Sequence, residues 1–311
     1  MDFWQGKWVA VTGGRGFVGS HVVDLLRRRG AQALPISRQD ANLESLEECR
    51  RICGAQDIVI HMAARVGGVG YNSKHPALLF RENMRPTSNM IQAAQEAGVE
   101  RFVLVSSACV YSNECSFPTP EEQGFLGAPE ESNIGYGWAK RMAEFETWAA
   151  HREFGLKAAI VRPYNIYGPR DHFDPEVSHV IPALIRKALE TKEVLRVWGN
   201  GQQTRSFLYV EDAARGILEA AEHYAVCDPV NLGSDSEIAI GELVRKIVDL
   251  SGCRARIEFD SGAITGQERR KCDISKALRE FGFKAKVSID EGLRRTIEWY
   301  RRTTGHSLVE K

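Results

Sequence analysis

The chain has 311 residues, 43% of them hydrophobic and 26% charged, with 41 basic residues set against 41 acidic ones. That is enough apolar material for a large core, in one big domain or one and a half. The balanced charge leaves no footprint for nucleic acid or an anionic membrane, and no apolar run approaches the length of a bilayer span.

Trp8-Val9-Ala10-Val11-Thr12 is a short β-branched run that reads as a buried strand. It enters Gly13-Gly14-Arg15-Gly16-Phe17-Val18-Gly19, and residues 20–29 then carry Val22, Val23, Leu25 and Leu26 at helical spacing up to Gly30. Strand, glycine turn and helix start form the opening of a dinucleotide site. Gly13 and Gly16 allow backbone to approach a pyrophosphate, Gly19 lets the helix lie against the strand, and the free N–H groups at the helix start hold phosphate. The Gly-x-x-Gly-x-x-Gly spacing is looser than the Gly-x-Gly-x-x-Gly fingerprint, so the flanking elements carry the reading. A second strand, Ala33 to Ser37, is followed by Arg38. An acidic residue here suits the ribose hydroxyl of NAD, and Arg suits the 2′-phosphate of NADP. Arg38 favours NADP over NAD; the competing reading gives the ribose to Asp40.

Further strands are expected at Asp57 to Ala64, Arg101 to Ser107 and Ala158 to Arg162, with a helix starting at Asn89 and leading to Gly98. This alternation predicts an α/β fold, a doubly wound parallel sheet of Rossmann type, over residues 1–168, with later segments returning to it. Residues 169–311 read mainly as a smaller α/β substrate lobe: a loop at 171–178, a helix from Ile181 to Leu189, a strand from Leu195 to Trp198 and a helix from Ile240 to Leu250. Seven cysteines are widely spread without a Cys-x-x-Cys pair, and Cys49 and Cys53, one helical turn apart, read as a helix face. With no export signal at the start, reduced thiols in the cytoplasm are expected, and no metal.

Tyr136 and Lys140 lie four residues apart, so on a helix they share a face. A free phenol titrates near ~10, and a cation beside it favours the phenolate. Such a pair can move a proton at a substrate oxygen while a cofactor handles hydride. The spacing alone is frequent by chance; the glycine turn in the same half gives it weight.

Together these motifs resemble the extended short-chain dehydrogenase/reductases of the nucleotide-sugar epimerase group. The resemblance runs nearly the whole length: the glycine turn, residues 57–64, Ser106-Ser107, Tyr136 with Lys140, Asn165-Ile166-Tyr167-Gly168-Pro169, and Arg205-Ser206-Phe207 leading to Val210-Glu211-Asp212. It implies that Ser107 binds the reacting sugar oxygen, that Tyr136 is the acid/base, and that Lys140 binds the nicotinamide ribose. It places Ala63, Ala64, Pro163, Asn165 and Ile166 beside the cofactor with Phe17 and Val18. Within the group, the chain is most similar to the GDP-L-fucose synthases and also resembles the GDP-mannose 3,5-epimerases. These carry a Cys in the segment matching Ser107-Ala108-Cys109, and the former a His in the segment matching Ser178-His179-Val180. The resemblance implies that Cys109 and His179 exchange protons at C3 and C5 of a 4-keto sugar. The plain alternatives are a small buried thiol and a helix-start imidazole.

Substrate contacts implied in the same way are Val66 and Gly67 in the Arg65-to-Gly70 loop, Asn165, Lys187, Trp198, Arg205, and Arg269 or Arg270. The chain departs from the fucose synthases at Lys187, where Arg is common, at Arg170, where His is typical, and over residues 266–273, which look more like general epimerases. The expected enzyme is thus a nucleotide-sugar epimerase/reductase on a 4-keto hexose, with GDP the expected carrier, with or without reduction at C4. Alternatives are a 4-epimerase that keeps NAD bound, and a non-catalytic dinucleotide sensor. The resemblance also implies a homodimer.

Overall fold

The computed structural model describes residues 2–175, 178–262 and 267–305. The first half alternates strand and helix: β1 (Trp8–Thr12), α1 (Phe17–Arg28), β2 (Gln32–Ile36), α2 (Leu46–Cys53), β3 (Ile58–His61), α3 (Val69–Lys74), α4 (Pro76–Ala97), β4 (Arg101–Val105), α5 (Ile134–Phe154) and β5 (Ala158–Pro163). Then come β6 (Ile166–Tyr167), α6 (Val180–Glu190), β7 (Val194–Trp198), β8 (Thr204–Arg205), β9 (Leu208–Tyr209), α7 (Val210–His223) and β10 (Val230–Leu232). The chain closes with β11 (Ile238–Ala239), α8 (Ile240–Ser251), β12 (Arg256–Asp260), β13 (Arg269–Arg270), α9 (Ser275–Phe281) and α10 (Ile289–Thr304).

Six parallel strands form the main sheet in the order β2-β1-β3-β4-β5-β10. Their near-continuous Val/Ile/Leu/Ala content suits strands covered on both faces. One face packs on α1 and α7, the other on α2, α4 and α5. The strand order reverses at β1, so the crevice between the carboxyl ends of β1 and β3 is a topological switch point, where such sheets bind ligands. A separate core around Ile181, Leu184, Leu195, Leu243 and Ile297 joins α6, β7, α8 and α10 into a smaller lobe. Strand β10 and helix α7 come from late in the chain but complete the main sheet and its cover.

Two elements differ from the sequence reading. Helix α4 begins at Pro76, not near Asn89, and runs through Pro86. Proline at the first turn costs nothing because that N–H has no helical acceptor, and the long α4–α5 contact carries the helix past the interior proline. Strand β3 stops at His61 because the Met62 and Ala63 amides turn to donate to Thr12 Oγ1, at 3.1 and 3.2 Å. Cys49 and Cys53 both face the core from α2.

Helix α5 is fastened by an ion pair sealed from water. Arg162 at the end of β5 donates to both carboxylate oxygens of Glu144, at 2.9 and 2.6 Å, with both side chains 2% exposed. The guanidinium also donates to Tyr111 Oη and Glu121 O, the Tyr111 hydroxyl donates to Asn231 on β10, and Ser106 at the end of β4 donates to Glu144. Burial opposes the Arg162 charge, but Glu144 and Tyr111 outweigh it and push its pKa up. Glu144→Gln leaves that guanidinium without its counter-ion and is expected to cost about 3–5 kcal/mol in urea unfolding. Glu96→Gln, in the exposed pair with Arg50, is expected to leave the midpoint in place. Equal shifts in the two variants would show that the buried pair has no special weight.

Candidate active site

The turn after β1 is shaped for close backbone approach. Gly13 has φ +70°, and a Cβ there would sit 3.0 Å from Ala63 N beyond β3. A Cβ on Gly14 would meet Val11 O at 2.6 Å, and one on Gly19 would meet Gly13 O at 2.1 Å. Gly16 stands at the N-cap of α1 without a side-chain cap, so its first N–H groups face the crevice unclaimed by side chains. Glycine-only geometry over free helix N–H groups fits a dinucleotide pyrophosphate. Phe17 and Val18, in the first turn of α1, pack toward the smaller lobe's core.

A buried relay that the sequence reading missed holds this turn. His61 Nε2 lies 3.0 Å from Thr87 Oγ1, whose hydroxyl donates to Asn83 O, so the ring must donate through Nε2. Its Nδ1 then accepts from Thr12 Oγ1 at 2.8 Å. Burial, with Lys140 nearby, drives the imidazole down to about 3, so it stays neutral. Its sequence signal is a polar residue at the end of the apolar run Ile58-Val59-Ile60.

At the end of β2, Arg38 is exposed and makes no ion pair among the described residues. Asp40 is engaged: it accepts from Arg15 at 2.7 Å and from Ser37 N and Oγ at 2.9 and 2.6 Å. Those Ser37 hydrogen bonds, with Arg15, hold its carboxyl below the usual carboxylate range. Of the two candidates near the ribose, Arg38 is the one left free.

The catalytic candidates converge at the carboxyl end of β4. Ser107 caps a short turn and accepts from Cys109 N at 3.1 Å, and its hydroxyl lies near enough to the Tyr136 phenol to favour its anionic form. Gly135 and Gly137 flank Tyr136 and bring α5 against this turn: a Cβ on Gly137 would meet Cys109 O at 2.5 Å, and one on Gly135 would meet Pro76 O at 2.1 Å. The Lys140 ammonium lies 5.6 Å from the Tyr136 ring centre and donates to Val105 O at 2.8 Å. Burial drives Lys140 down to about 8. Burial also pushes the Tyr136 phenol up, with Cys109 adding to it and Ser107 opposing, so the lowering expected from Lys140 is not found. Tyr136 therefore stands as a protonated donor.

Cys109, partly exposed, receives a hydrogen bond from Arg270 Nη2 at 3.4 Å. His179 is at the N-cap of α6 and is exposed. Desolvation by the atoms around it, with the charges of His172 and Arg270, holds its imidazole below the ordinary value. Arg270 thus touches one half of the expected acid/base pair and electrostatically reaches the other.

Arg270 pairs in register with Arg205 between β13 and β8. Arg205 donates to the carbonyls of Thr204, Gln267 and Glu268, and burial plus Arg270 drives it down to about 10. Strand alternation sends Arg269 the other way, into a bidentate pair with Glu237 at 2.7 and 2.8 Å. Of the two arginines left open by sequence, Arg270 faces the site. Lys187 donates to Arg196 O and sits 5.7 Å from the exposed Trp198 ring. Gly67 N donates to Asn72, which donates to Asn133 at the foot of α5, so the loop of Ala64, Val66 and Gly67 borders the Tyr136 end. Pro163 ends β5, and Asn165 (φ +33°) donates to Ser206 O beside Ile166, tying the cofactor side to the smaller lobe. Residues 263–266 and 176–177 of the predicted substrate segments lie outside the described residues.

A comparison with protein-family models matches residues 9–233 to the NAD dependent epimerase/dehydratase family. Probable GDP-L-fucose synthase 1 of Oryza sativa subsp. japonica is 35% identical over 306 residues, 95% of this chain and 92% of that protein. Among solved structures, a GDP-L-fucose synthetase from Naegleria fowleri bound to NADP superposes with a TM-score of 0.86 at 27% identity, covering 97% of this chain and 96% of that one. A UDP-glucose 4-epimerase from Thermotoga maritima with UDP-glucose gives 0.86 at 27%, covering 95% and 99%.

Asp171, in the loop after Pro169, is 6% exposed; Oδ1 accepts from His172 N at 2.7 Å and Oδ2 has no partner among the described residues. Burial pushes it up to about 7, against ~3.9 in an unfolded chain. The native state therefore holds a proton that the unfolded state releases, and stability drains as pH rises from about 4 to about 7. Asp171→Asn is expected to gain on the wild type across that window, by at most about 4 kcal/mol. Melting temperatures of both proteins at pH 4, 5.5 and 8 check this, and a pH-independent difference would overturn it.

Proposed function

Because the chain belongs to the NAD dependent epimerase/dehydratase family, we propose that it is a nucleotide-sugar epimerase/reductase that uses NADP and acts on a 4-keto hexose carried by a nucleoside diphosphate, GDP first among the candidates. The observation that carries the reading is the meeting of Ser107, Tyr136 and Cys109 at one turn, with Arg270 on the sulfur and in electrical reach of His179. Residues 169–311 serve mainly as the substrate lobe, and the unpaired thiols among the described residues suit the cytoplasm.

Gly13, Gly16 and Gly19 with the α1 N-terminus hold the pyrophosphate, Arg38 takes the 2′-phosphate, and the Ala63, Pro163 and Ile166 edges enclose the nicotinamide half. The bound cofactor supplies hydride chemistry at C4. Lys140 is placed for the nicotinamide ribose and fixes the electrostatics around Tyr136. Ser107 and Tyr136 hold O4. That carbonyl acidifies the protons at C3 and C5, and the two hydroxyls stabilise the charge O4 gains when one leaves. Cys109 and His179 take and return that proton on opposite faces, both from side chains that exchange protons readily near neutrality. Tyr136 holds the proton O4 takes up when C4 is reduced. Arg205 and Arg270 bind the diphosphate, and Trp198 with Lys187 offers a stacking surface and a charge beyond it.

Cys109→Ser is expected to lower deuterium wash-in from D2O into a 4-keto sugar nucleotide by about 100-fold or more, with NADPH binding unchanged by fluorescence titration. Exchange at the wild-type rate would remove Cys109 from the mechanism. Loss of nicotinamide absorbance under turnover checks the reducing half, and its absence would leave an epimerase alone.

The same reading includes a homodimer. On α5, Trp138, Phe145 and Trp148 form an exposed stripe (36%, 54% and 45%), joined by Phe80 of α4 around a hollow lined by Pro76, Ala77 and Ile134. A second copy presenting the same α4–α5 face would cover it, isologous contact being the commonest oligomer geometry. Phe145→Glu with Trp148→Glu should halve the mass by sedimentation equilibrium; an unchanged dimer mass would place the interface elsewhere.

A further inference from the structure

Glu130 caps the short turn that leads into α5, and three donors hold its carboxylate. Oε1 accepts from Ser132 N at 3.1 Å, and Oε2 accepts from Ser132 Oγ and from Asn133 Nδ2, the latter at 3.0 Å. Asn133 is the N-cap of α5, three residues before Tyr136, and its Oδ1 accepts from Asn72 Nδ2 at 2.7 Å. Asn72 in turn accepts from Gly67 N at 3.0 Å. A carboxylate and two amides thus form one chain from the loop of Val66 and Gly67, past the start of α5, to Glu130. Toward the smaller lobe, the charge of Glu130 acts on both Arg205 and Arg270, neighbours in register on β8 and β13. Neither arginine is spent on it among the described residues: Arg205 donates to three carbonyls and Arg270 to Cys109. An ionised carboxyl offers about four acceptor positions. The donors on Ser132 and Asn133 fill all but one, and the open one is on Oε1.

We propose that Glu130 is a specificity-determining residue that accepts a hydrogen bond from a hydroxyl at C2 or C3 of the substrate hexose. This rests on the proposed function, in which Arg205 and Arg270 hold the diphosphate and Ser107 with Tyr136 hold O4. A hexose bound in that way runs from C1 at the arginines to C4 at the phenol. Its C2 and C3 hydroxyls lie along one edge of the ring between those points, and Glu130 stands between the same two groups in the protein. Ser132 and Asn133 fix the carboxylate before the sugar arrives, so accepting the hydroxyl costs little further ordering. A site built round such an acceptor discriminates against a sugar that lacks the hydroxyl, because the oxygen is then desolvated without a partner. Glu130 also carries a cost: a negative charge beside two arginines weakens their hold on a diphosphate. A free nucleoside diphosphate meets only that cost, whereas a sugar nucleotide offsets it through the hydroxyl. The same residue therefore favours the sugar nucleotide over the bare nucleotide.

The test is a binding comparison. Titration calorimetry with NADPH present sets each free nucleoside diphosphate against its hexose conjugate: GDP against GDP-mannose, UDP against UDP-glucose, dTDP against dTDP-glucose. The pair that the wild type binds best is carried into the variants. In Glu130→Gln the conjugate is expected to bind about tenfold more weakly, while the free diphosphate binds several-fold more tightly. Glu130→Asp keeps the charge and draws the oxygen back, so it weakens the conjugate and leaves the free diphosphate at the wild-type value. Of the 2-deoxy and 3-deoxy forms of the sugar nucleotide, one binds alike to wild type and Glu130→Gln. NADPH affinity and melting temperature report native structure in each variant. Joint tightening of both ligands in Glu130→Gln would reduce the residue to a charge, and joint weakening would make it a structural part; either overturns the proposal, as does no change in either ligand. Binding by the wild type with such parallel shifts removes the Glu130 role alone. If the wild type binds none of these nucleotides, the functional reading falls and the proposal with it.

Discussion

The buried pair of Glu144 and Arg162 is the constraint on which the rest of the site depends. Glu144 lies one helical turn beyond Lys140 and two beyond Tyr136, so whatever fixes the carboxylate fixes the angular setting of both. Arg162 fixes it from β5, Ser106 from the end of β4, and Tyr111 with Asn231 extends the network to β10. Isolated, such a pair is no bargain, since desolvating two charges cancels most of their attraction. What it supplies is direction: a bidentate fork tolerates one geometry, and that geometry places Ser107, next in the chain to Ser106, opposite the phenol. The carboxylate also raises Lys140 against the burial that lowers it.

The electrostatics of the site follow from burial more than from pairing. Tyr136 is pushed up, Lys140, His179 and Arg205 are driven down, and His61 is held neutral, each with desolvation as the largest cause. A dry pocket penalises whichever form carries charge. Arg270 departs from this trend because a sulfur, a phenol and a carboxylate surround it. Its charge is reinforced where those of Lys140 and Arg205 are weakened, and it stands between the thiol and the second arginine.

Where structure and sequence agree, the signal was local. The glycine turn, the Tyr136–Lys140 spacing and the apolar strands are dictated by neighbours within one or two turns of chain, and the parallel sheet follows from their alternation. The missed parts are non-local. Nothing near Glu144 announces Arg162, although a charged residue closing Ala158-Ala159-Ile160-Val161 was a legible oddity, as was His61 closing its own strand. The start of α4 was hidden because Pro86 reads as a breaker, and only contact with α5 explains why it is not. The choice between Arg269 and Arg270 turns on which way one residue of a two-residue strand faces, which spacing cannot say when the strand itself is recognised only by its pairing with β8.

That last point bears on how one scaffold hosts several reactions. Ser107, Tyr136 and Lys140 sit at the end of the main sheet and on its helix, and in the proposed reaction the task of Ser107 and Tyr136 at O4 is the same whether C4 is reduced or its neighbours are inverted. His179 and Arg270 come from the smaller lobe, at a helix N-cap and on a strand two residues long. Such elements are held by few hydrogen bonds, so in the proposed reaction a substitution there would change the groups facing C3 and C5 without disturbing the hydride half. Cys109 belongs to the sheet by sequence but answers to the lobe through Arg270. On the proposed mechanism, the reaction that runs is set where the two bodies of the fold meet, and the Arg270 guanidinium spans that boundary by its contact with Cys109.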